Sequence, residues 1–154
     1  MKPLDLLDQA EHLAKRSPKK PRQADLCRAV SSAYYGVFHA LCAMNADMLV
    51  GVGVLRLSMA WRQAYRSVDH GQAKKRCKDS VNNGFPPHLV NFANAFVKLQ
   101  ELRHRADYDP QASFLKSEVM NYVAEARHAL SALRHSNRTD RRAFAVYVLL
   151  PQRG

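Results

Sequence analysis

Apolar residues recur every three or four positions through most of this sequence, and this spacing constrains the fold more than any other feature. The repeat is clearest in the series Leu26, Val30, Ala33, Val37 and Leu41. Such a stripe lies along one face of an α-helix and faces a core. No segment shows the sustained alternation of apolar and polar residues that indicates a half-buried strand. The sequence therefore predicts an all-α fold, an antiparallel bundle of four to five helices.

Proline and glycine are few and clustered, and they divide the chain into helices. The helices are expected at about residues 3–16, 22–47, 55–68, 86–109 and 112–135. The segment 17–21 is a break, and residues 70–71 are predicted to be another. We expect one domain over residues 1–154, in which residues 137–154 are a tail of uncertain structure. The run 143–148 suits a strand or a docked helix, and periodicity does not choose between them.

The charge indicates an anionic partner. Lysine and arginine outnumber aspartate and glutamate by 24 to 13, so the net charge is +11. Such a balance favours nucleic acid, a nucleotide or an acidic protein, and the alternative is a solvated basic surface without a partner. If nucleic acid binds, we expect weak, salt-dependent contacts to backbone phosphates without sequence preference. The candidate residues are Lys74, Lys75, Arg76, Lys78, Arg141 and Arg142.

Several classes of function lack support in the sequence. The three cysteines include no CxxC pair, which excludes the usual zinc-finger spacings, and Gly51 and Gly53 are too sparse for a dinucleotide-binding loop. We therefore expect no metal and no cofactor. No window has the ~18 apolar residues of a membrane span. The first fifteen residues carry acidic side chains where a signal peptide needs an apolar core. A cytoplasmic protein without a membrane role is predicted.

Two charged residues, Arg103 and Asp107, continue an otherwise apolar helix stripe. That stripe contains Leu89, Phe92, Ala93, Phe96 and Leu99. A guanidinium on the core side needs hydrogen-bond partners, and Asp107 is one helical turn away. One interpretation is that the pair ties down the end of the bundle. The other is a cleft between helices, in which Arg103 receives a phosphate or an acidic side chain.

A polar ridge on the second helix could face this cleft. Arg28, Tyr35 and His39 follow one another at helical spacing beside the apolar stripe. We predict that they bind the ligand together with Arg103 and Asp107. A histidine among apolar neighbours, as His39 is, is more often structural than catalytic.

These two segments resemble the HEPN superfamily. Residues 33–40 read AYYGVFHA and residues 103–108 read RHRADY, which is similar to the AYY-x-x-FHA helix and the R-x-x-ADY helix end of small bacterial HEPN proteins. The resemblance implies an antiparallel bundle of four or five helices. It also implies a homodimer in which the ends of the motif helices meet across a cleft. Many HEPN proteins are metal-independent ribonucleases, some of them toxins beside a nucleotidyltransferase antitoxin, and others bind nucleotides or partners.

The histidine of the HEPN ribonuclease motif is missing here. The family places it after an arginine and four to six further residues, but Tyr108, Asp109 and Pro110 stand at these positions after Arg103. A phenol with an ordinary pKa near 10 is a poor base at neutral pH. His39 or His104 remains a candidate substitute in space. We therefore predict a non-catalytic module that binds RNA, a nucleotide or a partner protein at Arg103. The alternative is a metal-independent endoribonuclease that uses Arg103 with His39, His104 or Tyr108. The resemblance suggests for it the role of a toxin paired with a nucleotidyltransferase antitoxin.

Overall fold

The computed structural model describes residues 1–17 and 19–154, and over this part of the chain it contains seven α-helices and no strand. The helices are α1 (Pro3–Lys15), α2 (Gln23–Val50), α3 (Ser58–Arg66), α4 (His70–Ser80), α5 (Pro87–Tyr108), α6 (Lys116–His135) and α7 (Arg138–Leu149). The all-α prediction is confirmed for these residues, and the predicted count of four to five helices is not. None of the seven helices combines the length and the hydropathy that a membrane span requires.

Helix α4 begins where the sequence analysis placed a break. The side chain of Asp69 accepts a hydrogen bond from the backbone N–H of Gln72 at 2.8 Å, so it caps the first turn. Ala73, Cys77 and Ser80 then lie buried at helical spacing. Gly71 led to the prediction of a break at this position, because glycine is unfavourable inside a helix. Glycine is nevertheless tolerated there, and the helix forms.

The C-terminal tail contains a docked helix, α7, and not a strand. The side chain of Asn137 caps it by accepting a hydrogen bond from the N–H of Asp140 at 2.8 Å. Phe144, Ala145 and Val148 form its buried face. This spacing matches one helical turn, so burying the three side chains together favours the helix.

Several helix ends differ from their predicted positions. Helix α2 continues to Val50 and ends at Gly51, whose positive φ of 106° suits glycine. Helices α3 and α6 start three and four residues later than expected, at Ser58 and Lys116. Before α6 the chain is held by Gln23, whose side-chain amide donates to the carbonyl of Phe114 at 3.0 Å and accepts from its N–H at 2.9 Å. The first predicted break includes Pro18, which lies outside the described residues.

Helix α2 is the central element of the fold. It packs against α1, α3, α5, α6 and α7, whereas α4 packs against α5 and α7. The largest fully buried side chains are Tyr34, Phe92, Phe96, Phe114 and Phe144. They belong to one continuous cluster of buried apolar residues. The long apolar stripe on α2 is consistent with this central position, since neighbours cover it on several sides.

Helix α1 lies unusually close to α2 at Gly36. A Cβ atom added there would lie 2.6 Å from Cδ2 of Leu7 and 3.3 Å from the carbonyl oxygen of Pro3. Glycine therefore permits the two backbones to approach. Because Tyr35 and His39 flank Gly36 on the same helix, this contact also fixes the part of α2 that faces the candidate site.

Candidate functional site

Arg103 lies on the buried face of α5, as its position in the apolar stripe implies. The five apolar residues that precede it on this face are all fully buried. Arg103 is itself only 8% exposed. It reaches the end of the core because it is four residues beyond Leu99, about one helical turn. The sequence interpretation of a guanidinium directed toward the core side therefore agrees with the structure.

The Arg103 guanidinium lies against two aromatic rings and has few polar partners. Its central carbon lies 5.0 Å from the centroid of the Tyr34 ring and 5.8 Å from that of Tyr35. Both distances are within the range of cation–π contacts. Its Nη1 lies 3.5 Å from Oδ2 of Asp107, which is a long contact. Its Nε is buried and has no hydrogen-bond partner among residues 1–17 and 19–154. Arginine has five N–H donors, so donors remain for a ligand.

Asp107 joins the end of α5 to α2. Its Oδ1 accepts a hydrogen bond from the hydroxyl of Ser31, and its Oδ2 is the atom nearest to Arg103. Asp107 is therefore paired independently of the guanidinium. This arrangement agrees with the interpretation that Asp107 ties down the end of the bundle. It also means that removing Arg103 would leave the carboxylate with a hydrogen-bond donor.

A histidine that the sequence analysis did not select, His70, contacts Tyr34, the same side chain against which Arg103 lies. Its Nδ1 is 2.6 Å from the hydroxyl oxygen of Tyr34, and its ring stacks on Phe38 with centroids 4.0 Å apart. The side-chain amide of Gln100 donates to the carbonyl of His70 at 2.9 Å and so ties the start of α4 to α5. The helix cap at Asp69 is the one sequence signal that could have indicated this position.

The electrostatic setting keeps His70 neutral. Burial lowers the pKa of His70, the positive charge of Arg103 lowers it further, and the nearby Asp69 opposes this shift. Burial also raises the pKa of Tyr34 above its ordinary value, while Arg103 acts in the opposite direction. At neutral pH the site therefore contains one cation, Arg103, beside a neutral imidazole and a neutral phenol.

His39, a predicted ligand-binding residue and a candidate catalytic residue, forms a hydrogen bond with α3. Its Nδ1 forms a hydrogen bond with the hydroxyl of Tyr65, and the two rings stack with centroids 5.9 Å apart. Burial lowers the pKa of His39. Its ring lies 6.4 Å from that of Tyr35. Tyr35 belongs with Arg103, Tyr34 and Asp107 to a group of contacting side chains that we call the Arg103 cluster, so His39 lies at the edge of this cluster. Its contacts suit a structural histidine, although its other ring nitrogen remains available.

The other predicted site residues lie outside this cluster. His104 and Tyr108 are exposed and contact each other, with ring centroids 4.8 Å apart. Consecutive residues on a helix point about 100° apart, so His104 cannot share the buried face of Arg103. Arg28 is exposed and forms neither an ion pair nor a hydrogen bond within the described chain. The structure thus brings Arg103, Asp107 and Tyr35 together.

The six candidate phosphate contacts differ in exposure and in their contacts with the rest of the protein. Lys74 pairs with Glu101 at 3.2 Å, and the Arg76 guanidinium lies 5.7 Å from the Tyr147 ring. Arg141 is half-buried in a groove between α2, α6 and α7. The other three residues, Lys75, Lys78 and Arg142, are exposed.

Comparison with known proteins yields no counterpart. No family model, no curated protein and no solved structure matches this chain. The HEPN likeness therefore rests on its two short motifs. No group of three or more histidine, cysteine, aspartate or glutamate side chains suited to a metal ion occurs in the part of the chain that the structure describes.

Proposed function

We propose that this protein is a non-catalytic, basic HEPN-type module that binds the phosphate of an RNA or a nucleotide at Arg103. The observation that carries the proposal is the incomplete pairing of this buried arginine. Its Nε has no hydrogen-bond partner in the described chain, and its one ion-pair contact is 3.5 Å long. A phosphate group would accept two charge-assisted hydrogen bonds from the guanidinium.

The surroundings of Arg103 favour such a ligand. Tyr34 and Tyr35 hold the guanidinium in place, so little side-chain freedom is lost on binding. A charge-assisted hydrogen bond is stronger in a site from which water is largely excluded. The net charge of +11 would attract a polyanion from a distance, in a salt-dependent manner. An acidic side chain of a partner protein would satisfy the same donors, and the test separates it from phosphate.

The proposal is for binding without cleavage, because His70, the histidine that contacts Tyr34 as Arg103 does, is already engaged. The ring of His70 stacks on Phe38, and its Nδ1 is bonded to Tyr34. His70 can act as a base through Nε2 only in the tautomer in which Nδ1 carries the proton and donates to the phenol oxygen. The opposite tautomer, in which Tyr34 donates to Nδ1, places the proton on Nε2 and leaves no free lone pair.

A second candidate function, metal-independent endoribonuclease, has one observation in its favour. His70 is neutral and lies near a buried arginine, which are the two groups that such a reaction needs. His70 would take the proton of a 2′-hydroxyl as that oxygen attacks the adjacent phosphorus. Arg103 would stabilise the charge on the phosphate. The bond from phosphorus to the 5′-oxygen would break as a 2′,3′-cyclic phosphate forms, and the 5′-oxygen would take a proton from water. A toxin role beside a nucleotidyltransferase antitoxin belongs to this candidate.

The test compares Arg103→Met with Arg66→Met, which removes one positive charge from an exposed position on α3. The two probes are ATP and a labelled single-stranded RNA. The RNA has about ten nucleotides, a length that fits the binding site of one single-strand-binding module. We expect Arg103→Met to weaken binding by about tenfold or more and Arg66→Met to change it by less than about twofold. Equal losses in the two variants would show that net charge alone attracts the ligand, and would contradict the proposal.

Incubation with unlabelled RNA in the presence of EDTA distinguishes the two candidate functions. The binding proposal expects intact RNA. Cleavage that is lost in His70→Gln would favour the endoribonuclease and refute the non-catalytic assignment. Binding of an acidic peptide that is lost in Arg103→Met, with binding of neither RNA nor ATP, would identify the partner-protein alternative at Arg103.

A further inference from the structure

A groove between α2, α6 and α7 lies apart from the Arg103 cluster. Its volume is about 390 Å³. Its floor is apolar and includes Met44 and Met48 from α2 with Leu130 and Leu133 from α6. Methionine side chains adapt their shape to different apolar surfaces, which suits a floor that contacts another molecule.

The rim of this groove is positively charged. Arg134, Arg138 and Arg141 line it, and none of the three forms an ion pair with the rest of residues 1–17 and 19–154. The Nη1 of Arg141 donates to the carbonyl of Arg134 at 3.4 Å, while its buried Nε has no hydrogen-bond partner in the described chain. The arginines therefore retain donors for an external anion.

The acidic residue that lines the groove, Asp47, is already engaged. Its Oδ1 accepts a hydrogen bond from the indole N–H of Trp61 at 2.9 Å. The same oxygen lies 3.7 Å from Nη1 of Arg56. Asp47 therefore does not neutralise the arginines on the rim, and the groove presents an excess of positive charge.

An exposed apolar segment extends the groove at one end. Val52 lines the groove, and beyond it the side chains of Val54, Leu55 and Leu57 are 99%, 94% and 73% exposed. Single exposed apolar residues are ordinary, but several in succession beside an apolar groove indicate an interaction surface. We call the groove together with residues 52–57 the arginine-rimmed surface.

We propose that the arginine-rimmed surface binds an acidic amphipathic helix of a partner protein. Such a helix would place apolar residues at i, i+3, i+4 and i+7 on the methionine and leucine floor. Aspartate and glutamate on its flanks would pair with Arg134, Arg138 and Arg141. Complementary charge would also speed association and select against basic helices.

Charge and chemistry favour this occupant over two others. A second copy of the chain also has a net charge of +11, so association of the two through this surface would bring like charges together. Single-stranded nucleic acid is usually bound by aromatic side chains that stack on its bases. The residues that line this groove include none. The proposal does not depend on the function of Arg103, which does not line the groove.

The probe is a fluorescein-labelled helical peptide of ~18 residues, about five turns, with leucine on one face and glutamate on both flanks. Binding is measured by fluorescence anisotropy at ~150 mM salt, because this salt concentration screens long-range electrostatic attraction. We compare the double variant Arg134→Glu/Arg138→Glu with Lys19→Glu/Lys20→Glu, which changes the net charge equally. Both lysines are exposed. They precede α2, whereas Met44 lies ~30 Å along that helix.

We expect saturable binding to the wild type, a loss of about tenfold or more in the groove variant, and less than about twofold in the lysine variant. Val52→Ser keeps the charge, removes an apolar contact of an exposed residue, and should weaken binding about threefold. Circular dichroism establishes that each variant is folded. The same peptide with lysine in place of glutamate should not bind.

Four results would overturn the proposal. No saturable binding would exclude the surface as a helix site, and equal losses in the two double variants would show attraction by net charge alone. A dimer in sedimentation that the groove variant dissociates would identify a second copy of the chain as the occupant. Displacement of the peptide by a short RNA from the wild type would identify nucleic acid.

Discussion

Replacement of Arg103 by methionine tests whether this residue is retained for binding or for stability. Methionine fills much of the same apolar space and has no charge. Asp107 keeps its hydrogen bond from Ser31, so the substitution leaves no carboxylate without a partner. The variant therefore isolates the contribution of the guanidinium.

The contacts of Arg103 predict a small change in the free energy of unfolding. Its contact with Asp107 is 3.5 Å long and that carboxylate is 31% exposed, so its loss costs at most about 1 kcal/mol. The cation–π contacts with Tyr34 and Tyr35 contribute about 1–2 kcal/mol together. Removing a buried donor that has no partner raises the free energy of unfolding by about 1–3 kcal/mol. The net change lies within about 2 kcal/mol of zero, and Tm should shift by less than about 8 °C.

Urea denaturation followed by circular dichroism measures this change, and the RNA-binding assay is run on the same preparations. We expect binding to fall by about tenfold or more while the free energy of unfolding stays within the stated range. A loss of about 4 kcal/mol or more with unaltered binding per folded molecule would refute the reasoning. Arg103 would then be a residue that holds the end of the bundle together.

Three further predictions concern packing, pH and assembly. Gly36→Ala should lower the free energy of unfolding by about 1–2 kcal/mol. The Cβ atom of the new alanine would meet Leu7, and this overpacking outweighs the better helix propensity of alanine. An unchanged urea denaturation curve would contradict this prediction. Burial lowers the pKa values of His39 and His70 in the folded protein. Below about pH 6.5 the unfolded chain therefore binds more protons than the folded chain, and the Tm should fall between about pH 7 and 5. The fall should be less steep in His70→Gln. The HEPN likeness predicts a homodimer whose interface includes α5 or its C-terminal end, where Tyr108 is 67% exposed. Light scattering should give twice the mass of 17.4 kDa, and a monomer mass at micromolar concentration would exclude the dimer.

The sequence was sufficient for the features that depend on helical periodicity. The stripe of α2 and the stripe of α5 each lie on a buried face, and the position of Arg103 at the end of the second stripe correctly places its guanidinium on the core side. These features are local, because residues three and four apart share a helix face wherever the helix packs. The spacing of Arg103 and Asp107 likewise places the two within one turn.

Only the tertiary structure brought His70 to Arg103, because the two residues are on different helices and no local pattern relates them. Their proximity depends on the docking of α4 against α5, which the Gln100 side chain supports. The secondary structure of the C-terminal tail was also undetermined by the sequence, since the composition of residues 143–148 suits either a strand or a helix. Burial of Phe144, Ala145 and Val148 against the rest of the core decides for a helix. The sequence also did not determine which charged side chains form ion pairs, because ion pairing depends on which helices become neighbours. Lys74, for example, is paired with Glu101 on α5.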